Sequence, residues 1–192
     1  MLQTYVAMNA RDRVFVHAGV VGWQGRAILL PGRSMAGKST LVRALLAAGA
    51  TYYSDEFAVL DAKGRVHPFP RRLSLRRPGM LSDRPHAADL GAETGSRPLP
   101  VGLIVHTEYR PGAGWRPKPL TAARSMFELA SYMGPQVSHS SRGKMVLERL
   151  ATSATALYGR RGDAADVANE ILHAAERTRV ASPWRLLFAR AA

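Results

Sequence analysis

Residues 25–50 read GRAILLPGRSMAGKSTLVRALLAAGA, and they carry the clearest pattern in the chain. Its apolar run at 27–30 is typical of a buried strand. The apolar residues after the loop recur at helical spacing, namely Leu41, Val42, Leu45 and Leu46. Gly49 predicts the end of that helix. The stretch therefore predicts a strand, a glycine-containing loop and a helix in succession, which is a unit of an α/β domain.

The loop between this strand and this helix, residues 32–37, is called the glycine loop below. With the Lys and Ser that follow, it completes the pattern G-x-x-x-x-G-K-[ST]. Its backbone N–H groups can converge on phosphate oxygens, and the helix N-terminus and Lys38 add positive charge. The predicted nucleotide-binding residues are Gly32, Arg33, Ser34, Met35, Ala36, Gly37, Lys38, Ser39 and Thr40.

The alternative is a glycine turn that contains Lys and Ser by chance. Because glycine makes up about 7% of an average protein, the four fixed positions should coincide in about one chain of this length in a hundred. The strand before the loop and the helix after it make a coincidence rarer still. The pattern therefore favours a nucleotide phosphate site, with the hydroxyl of Ser39 on a magnesium ion.

The composition limits the class of protein. The chain has 192 residues, 46% of them hydrophobic, and this predicts a single domain over 1–192 with a substantial core. No apolar run approaches the roughly 18 residues of a membrane span, and the N-terminus lacks the order of a signal peptide. We therefore expect a cytoplasmic protein with no membrane partner. The lack of cysteine excludes disulfides, thiolate metal sites and cysteine nucleophiles.

The chain is strongly basic, with 27 Lys and Arg against 14 Asp and Glu and a net charge of +13. Such a charge suggests an acidic partner: a nucleic acid, a membrane surface or an acidic protein. However, the basic residues are spread along the chain, and a genome biased toward Arg and Ala produces the same excess. We therefore disfavour nucleic acid as a partner and retain a protein or peptide, acidic in character.

Two strands are predicted before residue 25, at 3–8 and 13–21, and Gln24 belongs to the turn after them. His17 lies inside the second strand. From the residues alone, a lone strand histidine is more often a packed or surface residue than a reactive one.

Two carboxylates, Asp55 and Glu56, follow a β-prone run at 51–53. One can hold magnesium, directly or through water, while the other accepts a proton from an attacking hydroxyl or orients it. The alternative is a solvated strand end with two ordinary charges. The predicted phosphate site ends at Thr40, only 15 residues before Asp55. We therefore favour a role for the two carboxylates in that site.

The segment from His17 to Val59 resembles the catalytic domain of bacterial HPr kinase/phosphorylase and its shorter relatives, the HPr kinase-related serine kinases. Three landmarks carry the resemblance: the run HAGVV at 17–21, the glycine loop 15 residues after that histidine, and the segment GATYYSDE at 49–56. The resemblance implies an α/β fold akin to phosphoenolpyruvate carboxykinase, with a mixed sheet and flanking helices. It also implies ATP and Mg²⁺ as cofactors, transfer of a phosphoryl group to a seryl hydroxyl, and a homo-oligomer.

The resemblance also assigns roles to individual residues. Lys38 would contact the transferring phosphates, and Ser39 would hold magnesium. Asp55 matches the first acid of the family's pair, the candidate base toward the serine hydroxyl, and Glu56 matches the second, a metal ligand. His17 matches a histidine near the phosphate site, so the resemblance reverses the interpretation drawn from the residues alone. The candidate catalytic residues are therefore Asp55, Lys38 and His17.

The acidic pair carries a backbone prediction. In a continuous strand, Asp55 and Glu56 would face opposite sides of the sheet. Both can face the phosphates only if the strand ends at Ser54 and the chain turns. We therefore predict an irregular backbone at 55 and 56, with both carboxylates within reach of a metal beside Ser39.

The chain departs from the family in several places. Met35 stands where the family usually has a loop glycine, and Glu56 replaces the usual second Asp. No equivalent of the family's EIRG-like signature follows, and the long N-terminal domain of the full enzyme has no counterpart. We therefore do not expect the reverse, phosphate-removing reaction.

The rest of the chain completes the domain. Residues 77–99 predict a mobile loop that closes over the nucleotide, receives the substrate or has no role. Later elements are a central strand at 99–110, a helix at 121–133 capped by Thr121, a helix at 144–154, a strand at 154–160 and a helix at 163–177. The predicted core residues of the last two helices are Met145, Leu147, Leu150 and Ala151, and Val167, Ile171, Leu172 and Ala175. The histidines at 67, 86, 106, 139 and 173 lack metal-like pairing and receive no ligand role.

The sequence thus predicts an ATP- and Mg²⁺-dependent kinase that phosphorylates a serine of a small protein or peptide. A P-loop hydrolase or small-molecule kinase stays open as one alternative. A noncatalytic nucleotide-sensing module is the other, and it is favoured if Asp55 and Glu56 turn away from the glycine loop.

Overall fold

A computed structural model describes residues 12–74 and 84–178 of the chain. The predicted strand at 3–8 and the first part of the predicted 77–99 loop lie outside these residues. Within them the chain is an α/β protein with a mixed sheet and flanking helices.

The described residues contain eight strands and five α-helices. The strands are β1 Val14–Trp23, β2 Arg26–Pro31, β3 Thr51–Ser54, β4 Phe57–Leu60, β5 Arg65–His67, β6 Leu99–Tyr109, β7 Lys118–Pro119 and β8 Thr155–Arg161. The helices are α1 Lys38–Ala47, α2 Ala122–Ala130, α3 Pro135–Ser138, α4 Ser141–Ser153 and α5 Ala164–Arg177. A 3₁₀ turn covers Ala88–Leu90.

Strand β1 organises one half of the sheet. Its second half pairs antiparallel with β2 on one side and with β3 on the other, and its first half pairs antiparallel with β4. A register shift between Val20 and Val21 interrupts the β1–β3 pairing, as β-bulges do where a strand bends. Strand β1 therefore brings the ends of β2, β3 and β4 to one edge.

Strand β6 organises the other half. It runs parallel to β2 and β8, and its first residues pair antiparallel with β5. Its apolar residues are buried on both faces, from Val101 to Val105, as a central strand requires. The predicted central strand at 99–110 is confirmed.

The helices cover both faces of the sheet. One core cluster joins the sheet to α1 and α5, and it includes Leu41, Leu45, Ile171 and Leu172. The other joins the opposite face to α2 and α4, and it includes Leu129, Val146, Leu147 and Leu150. The result is a three-layer arrangement, in which α1, α2, α4 and α5 each bury an apolar stripe.

Several predicted helix boundaries need correction. The helix predicted to end at Met133 ends at Ala130, and α4 begins at Ser141 rather than Lys144. Thr121 does cap α2, since its hydroxyl accepts from the Arg124 N–H at 3.2 Å. Ser140 caps α4 in the same way, through Gly143. This second cap explains the earlier start, because the Ser140 hydroxyl satisfies the N–H of Gly143 in the first turn and so allows the helix to begin before Lys144.

The apolar stripe of α4 was also misassigned at one position. Met145, predicted to lie in the core, is 41% exposed, while its neighbour Val146 is buried. Helix α5 matches its predicted span, although Asp163 occupies the N-cap position without a side-chain hydrogen bond to the helix.

The described part of the 77–99 segment, from residue 84 onward, contains the 3₁₀ turn and hydrogen bonds to strand β3. Tyr52 donates its N–H to the Glu93 carbonyl at 2.7 Å and accepts from the Gly95 N–H at 2.8 Å. Among the described helices, none combines the length and apolar character needed to cross a bilayer.

Candidate functional site

Topology brings the predicted site residues to one edge of the sheet. Strand β2 ends at Pro31, beside Ala18 of β1, and the Gly32 N–H donates to the His17 carbonyl at 3.3 Å. On the other side of β1, the Ala18 N–H donates to the Glu56 carbonyl at 3.1 Å. The glycine loop and the acidic pair therefore meet at His17, because they contact β1 at neighbouring residues, one on each side of the strand.

The backbone at the acidic pair is irregular. Strand β3 ends at Ser54, strand β4 begins at Phe57, and residues 55 and 56 form a bend between them. The Ser54 hydroxyl accepts the N–H groups of Glu56 and Phe57 at 3.3 and 3.2 Å, which fixes this turn locally. The predicted break between strand and acidic pair is confirmed.

The glycine loop has two residues in the left-handed region. Gly37 has φ 77° and Met35 has φ 72°. Gly37 is the N-cap of α1, and its carbonyl accepts the Leu41 N–H at 3.1 Å. Glycine adopts this conformation freely, whereas a residue with a side chain adopts it at a cost. At position 35, where the family usually has glycine, Met35 therefore adopts a conformation that glycine adopts more freely.

A cavity of about 350 Å³ lies between the loop and the acidic pair. Its lining includes most predicted site residues, namely His17, Ser34, Met35, Gly37, Lys38, Ser39, Thr40, Asp55 and Glu56. Gly32, Arg33 and Ala36 belong to the loop but not to this lining. The volume is within the usual range of ligand pockets.

Asp55 connects the acidic bend to the helix that follows the loop. The Ser39 hydroxyl donates to its Oδ2 at 3.1 Å, and its Oδ1 lies 3.4 Å from the Tyr52 hydroxyl. Asp55 is only 5% exposed, yet it faces the cavity rather than the core. A buried carboxylate needs donors of this kind.

Lys38 and His17 share this electrostatic environment. Burial lowers the pKa of Lys38, and the carboxylates of Asp55 and Glu56 oppose that shift. Burial and the Lys38 ammonium lower the pKa of His17 to about 4, against the opposing effect of Asp55. His17 is therefore neutral at pH 7 and can accept or donate one hydrogen bond at each ring nitrogen according to its tautomer. The Lys38 Nζ donates to the Arg33 carbonyl at 2.9 Å.

Glu56 takes a different position from Asp55. Its carboxylate forms an ion pair with Arg71 at 2.5 Å, while its side chain still lines the cavity. This contact holds the Glu56 carboxylate beside Arg71, in the segment after β5, whereas the Asp55 carboxylate bonds Ser39.

Sequence reasoning missed Arg161, at the end of β8. Its side chain is 2% exposed and donates to the carbonyls of Gly37 and Gly162, each at 3.1 Å. Its guanidinium carbon lies 5.6 Å from the centre of the Tyr109 ring. Burial lowers the pKa of Arg161, and Tyr109 and Asp163 oppose the shift. Strand alternation was an available signal, because residues 157, 159 and 161 share one face.

Sequence reasoning also missed Ser74. Its backbone N–H donates to Asp55 Oδ2 at 2.8 Å, and the residue lines the cavity. It lies 19 residues after Asp55 in the chain, and no local pattern linked the two.

The residues present fit a magnesium ion. A hydroxyl and two carboxylates are hard oxygen ligands, and Mg²⁺ is usually held by one or two carboxylates together with substrate phosphates and waters. Ser39, Asp55 and Glu56 are the ligand candidates. Within 12–74 and 84–178, no group of three or more His, Cys, Asp or Glu side chains is placed to hold a metal.

The other histidines lie outside the cavity. His67 bonds Asp61 and His173 bonds Glu176, each at 3.2 Å. His106 on β6 is 4% exposed, and neither ring nitrogen has a hydrogen-bond partner within residues 12–74 and 84–178.

Comparison of the sequence with protein-family models gives no match, and comparison with curated proteins gives none either.

Proposed function

We propose that the chain is a serine kinase of the HPr kinase-related type, with a P-loop, that transfers the γ-phosphoryl group of ATP to a seryl hydroxyl of a small protein or peptide. One contact carries the proposal: the Ser39 hydroxyl bonds Asp55 at 3.1 Å, on the wall of a cavity that Lys38 also lines. Ser39 belongs to the helix after the glycine loop, and Asp55 belongs to a separate strand end. A candidate magnesium ligand and a candidate base therefore lie side by side.

Each residue then has a distinct task. The N–H groups of the glycine loop and the Lys38 ammonium hold the phosphate oxygens and neutralise the charge spread over the transferring group. Asp55 orients the acceptor hydroxyl and takes its proton. His17, neutral at pH 7, donates a hydrogen bond to a phosphate oxygen. Magnesium, held by Ser39 and the carboxylates, would add charge neutralisation between the β- and γ-phosphates.

The position of Asp55 favours this proposal over a noncatalytic nucleotide sensor. A sensor needs the loop but no carboxylate facing the transferring phosphate. Asp55 faces Ser39 instead of turning away from the loop. Because Asp55 is only 5% exposed, its carboxylate costs free energy to bury, which favours a functional role for it.

The test is Asp55→Asn, a change of nearly equal size. Because the amide cannot accept the hydroxyl proton, phosphoryl transfer to serine peptides should slow by roughly two to four orders of magnitude. Binding of Mg²⁺–ATP, measured by titration calorimetry, should change little. Glu56→Gln should instead raise the magnesium concentration needed for half-maximal transfer.

Asp61→Asn is the matched control, since Asp61 is another buried carboxylate but lies in the β4–β5 turn and bonds Lys63 and Arg65. It should leave transfer unchanged among the folded molecules. If Asp55→Asn loses ATP affinity as severely as turnover, Asp55 is not the base. If the wild-type chain does not bind Mg²⁺–ATP, the whole proposal is wrong.

A further inference from the structure

Residues 71–74 are held beside the candidate site by contacts of Arg71 and Leu73. The Tyr52 hydroxyl donates to the Arg71 carbonyl at 2.8 Å, and the Arg71 side chain pairs with Glu56. Leu73 is fully buried in the core cluster of α1 and α5, and its N–H donates to the Pro85 carbonyl at 2.9 Å. The position of the next residue, Ser74, is therefore fixed by the packing before it.

Ser74 is held against the candidate base. Its backbone N–H donates to Asp55 Oδ2 at 2.8 Å, and the same oxygen accepts from the Ser39 hydroxyl. Only the α- and β-carbons separate the Ser74 hydroxyl from that N–H, so the hydroxyl stays near the same carboxylate. The Ser74 side chain is exposed and lines the cavity with Lys38.

Ser74 differs from the other hydroxyl residues that line the cavity. Ser34, Ser39 and Thr40 belong to the glycine loop and the first turn of α1, which would surround the phosphate donor. Ser74 enters from a separate segment, after β5, and its N–H bonds the candidate base Asp55 directly. It therefore lies where a substrate serine would have to approach Asp55.

We propose that Ser74 is a phosphoryl acceptor within its own chain, so that the protein phosphorylates itself at this residue. The inference rests on the proposed kinase function. The Ser74 oxygen forms a bond to the γ-phosphorus of ATP while the bond from that phosphorus to the β–γ bridging oxygen breaks. The hydroxyl proton passes to Asp55, and ADP leaves with the bridging oxygen.

Mass spectrometry tests this on the full chain, after phosphatase treatment and removal of the phosphatase. Incubation with Mg²⁺–ATP should add one phosphoryl group, and peptide mapping should place it on Ser74. The initial rate per chain should not change over a tenfold dilution, because the acceptor and Asp55 belong to one molecule. A chain carrying Lys38→Ala, mixed with active wild type, should stay unmodified.

Three variants make the result specific. Ser74→Ala should abolish incorporation while binding Mg²⁺–ATP within about twofold of the wild type, whereas Ser74→Thr should accept phosphate at position 74. Ser96→Ala, an exposed serine away from this cavity, should be phosphorylated like the wild type.

The outcomes separate this inference from the proposed function. If Mg²⁺–ATP binds and Asp55-dependent transfer to serine peptides proceeds, but Ser74 gains no phosphate or another residue gains it, the inference is wrong and the kinase proposal stands. Modification of the Lys38→Ala chain in the mixture would exclude transfer within one molecule. A wild-type chain that binds no Mg²⁺–ATP would overturn both proposals.

Discussion

At the scale of single residues, the buried guanidinium of Arg161 is the feature that most constrains the glycine loop. It donates to the Gly37 carbonyl, at the junction of loop and α1, and an added Cβ at Gly37 would lie 2.7 Å from its Nη2. Its Nε is buried and has no hydrogen-bond partner in the part of the chain that the structure describes. A charged group this deeply buried is costly, so we infer that it positions the loop.

Arg161→Met should weaken Mg²⁺–ATP binding about tenfold, because a hydrogen bond from a charged group contributes about 1.5–3 kcal/mol and the loop junction loses one. Titration calorimetry measures the affinity, and thermal unfolding checks the fold. Arg160→Met is the matched control, because the neighbouring Arg160 is exposed and pairs with Glu108 on the surface. A lower unfolding temperature with unchanged ATP affinity would show that Arg161 is structural only.

Met35 carries a backbone cost in the same loop. Its φ of 72° is in the left-handed region, which costs a residue with a side chain roughly 1–2 kcal/mol, while its own side chain is 78% exposed. Glycine at this position removes that penalty but loses more conformational entropy on folding.

Met35→Gly should therefore raise the free energy of unfolding by about 0.5–1 kcal/mol. Chemical denaturation measures the change. Met35→Ala shortens the side chain but keeps the φ penalty, so it should show no such gain. Equal stabilities of the two variants would contradict the interpretation that the backbone at Met35 is strained.

At the scale of elements, β6 carries a buried histidine beside the end of β2. The ring of His106 lies 6.2 Å from the ring of Tyr132, and burial lowers its pKa to about 4 against the opposing charge of Glu128. The unfolded chain binds a proton at this residue near pH 6.5, and the folded chain does not. The stability that depends on a neutral His106 is therefore present above pH 6.5 and is lost as the pH falls toward 4.

His106→Leu should reduce this pH dependence. Between pH 7 and pH 5 the wild type should lose about 2 kcal/mol more unfolding free energy than the variant, as one proton over this interval implies. Denaturation curves at both pH values measure the difference. Some pH dependence should remain through His17, whose pKa is also lowered to about 4. Parallel losses in wild type and variant would show that His106 does not titrate as described.

The elements that the sequence predicted well are those with a strong local signal. Gly49, at φ 97°, follows the end of α1 as expected, and the apolar stripe of α5 is buried at every predicted position. Boundaries failed where two signals competed. The four residues before Lys144 already contain the N-cap Ser140 and the buried Gly143, and neither belongs to an apolar stripe.

At the scale of the whole molecule, the site depends on strand pairing that no local pattern encodes. Asp55, Lys38 and His17 were predictable because a short motif and a family resemblance name them together. For Arg161, strand alternation could indicate only an inward-facing side chain and not its contact with the loop, and Ser74 had no local signal. Both β8 and the segment after β5 reach the site only through tertiary packing. The homo-oligomer and the acidic partner stay predictions, and the net charge of +13 implies marked salt dependence for any acidic partner.

Binding of nucleotide phosphate by the glycine loop can be measured by titration of Mg²⁺–ATP into the wild type and into Lys38→Ala. Removal of the ammonium that lies among the loop, Asp55 and Glu56 should weaken ATP binding by at least tenfold and abolish measurable transfer, because a charged contact to phosphate is lost. Lys63→Ala, in the β4–β5 turn, should bind as the wild type does. If ATP affinity and turnover both survive Lys38→Ala, the loop is not the phosphate site and the account is wrong.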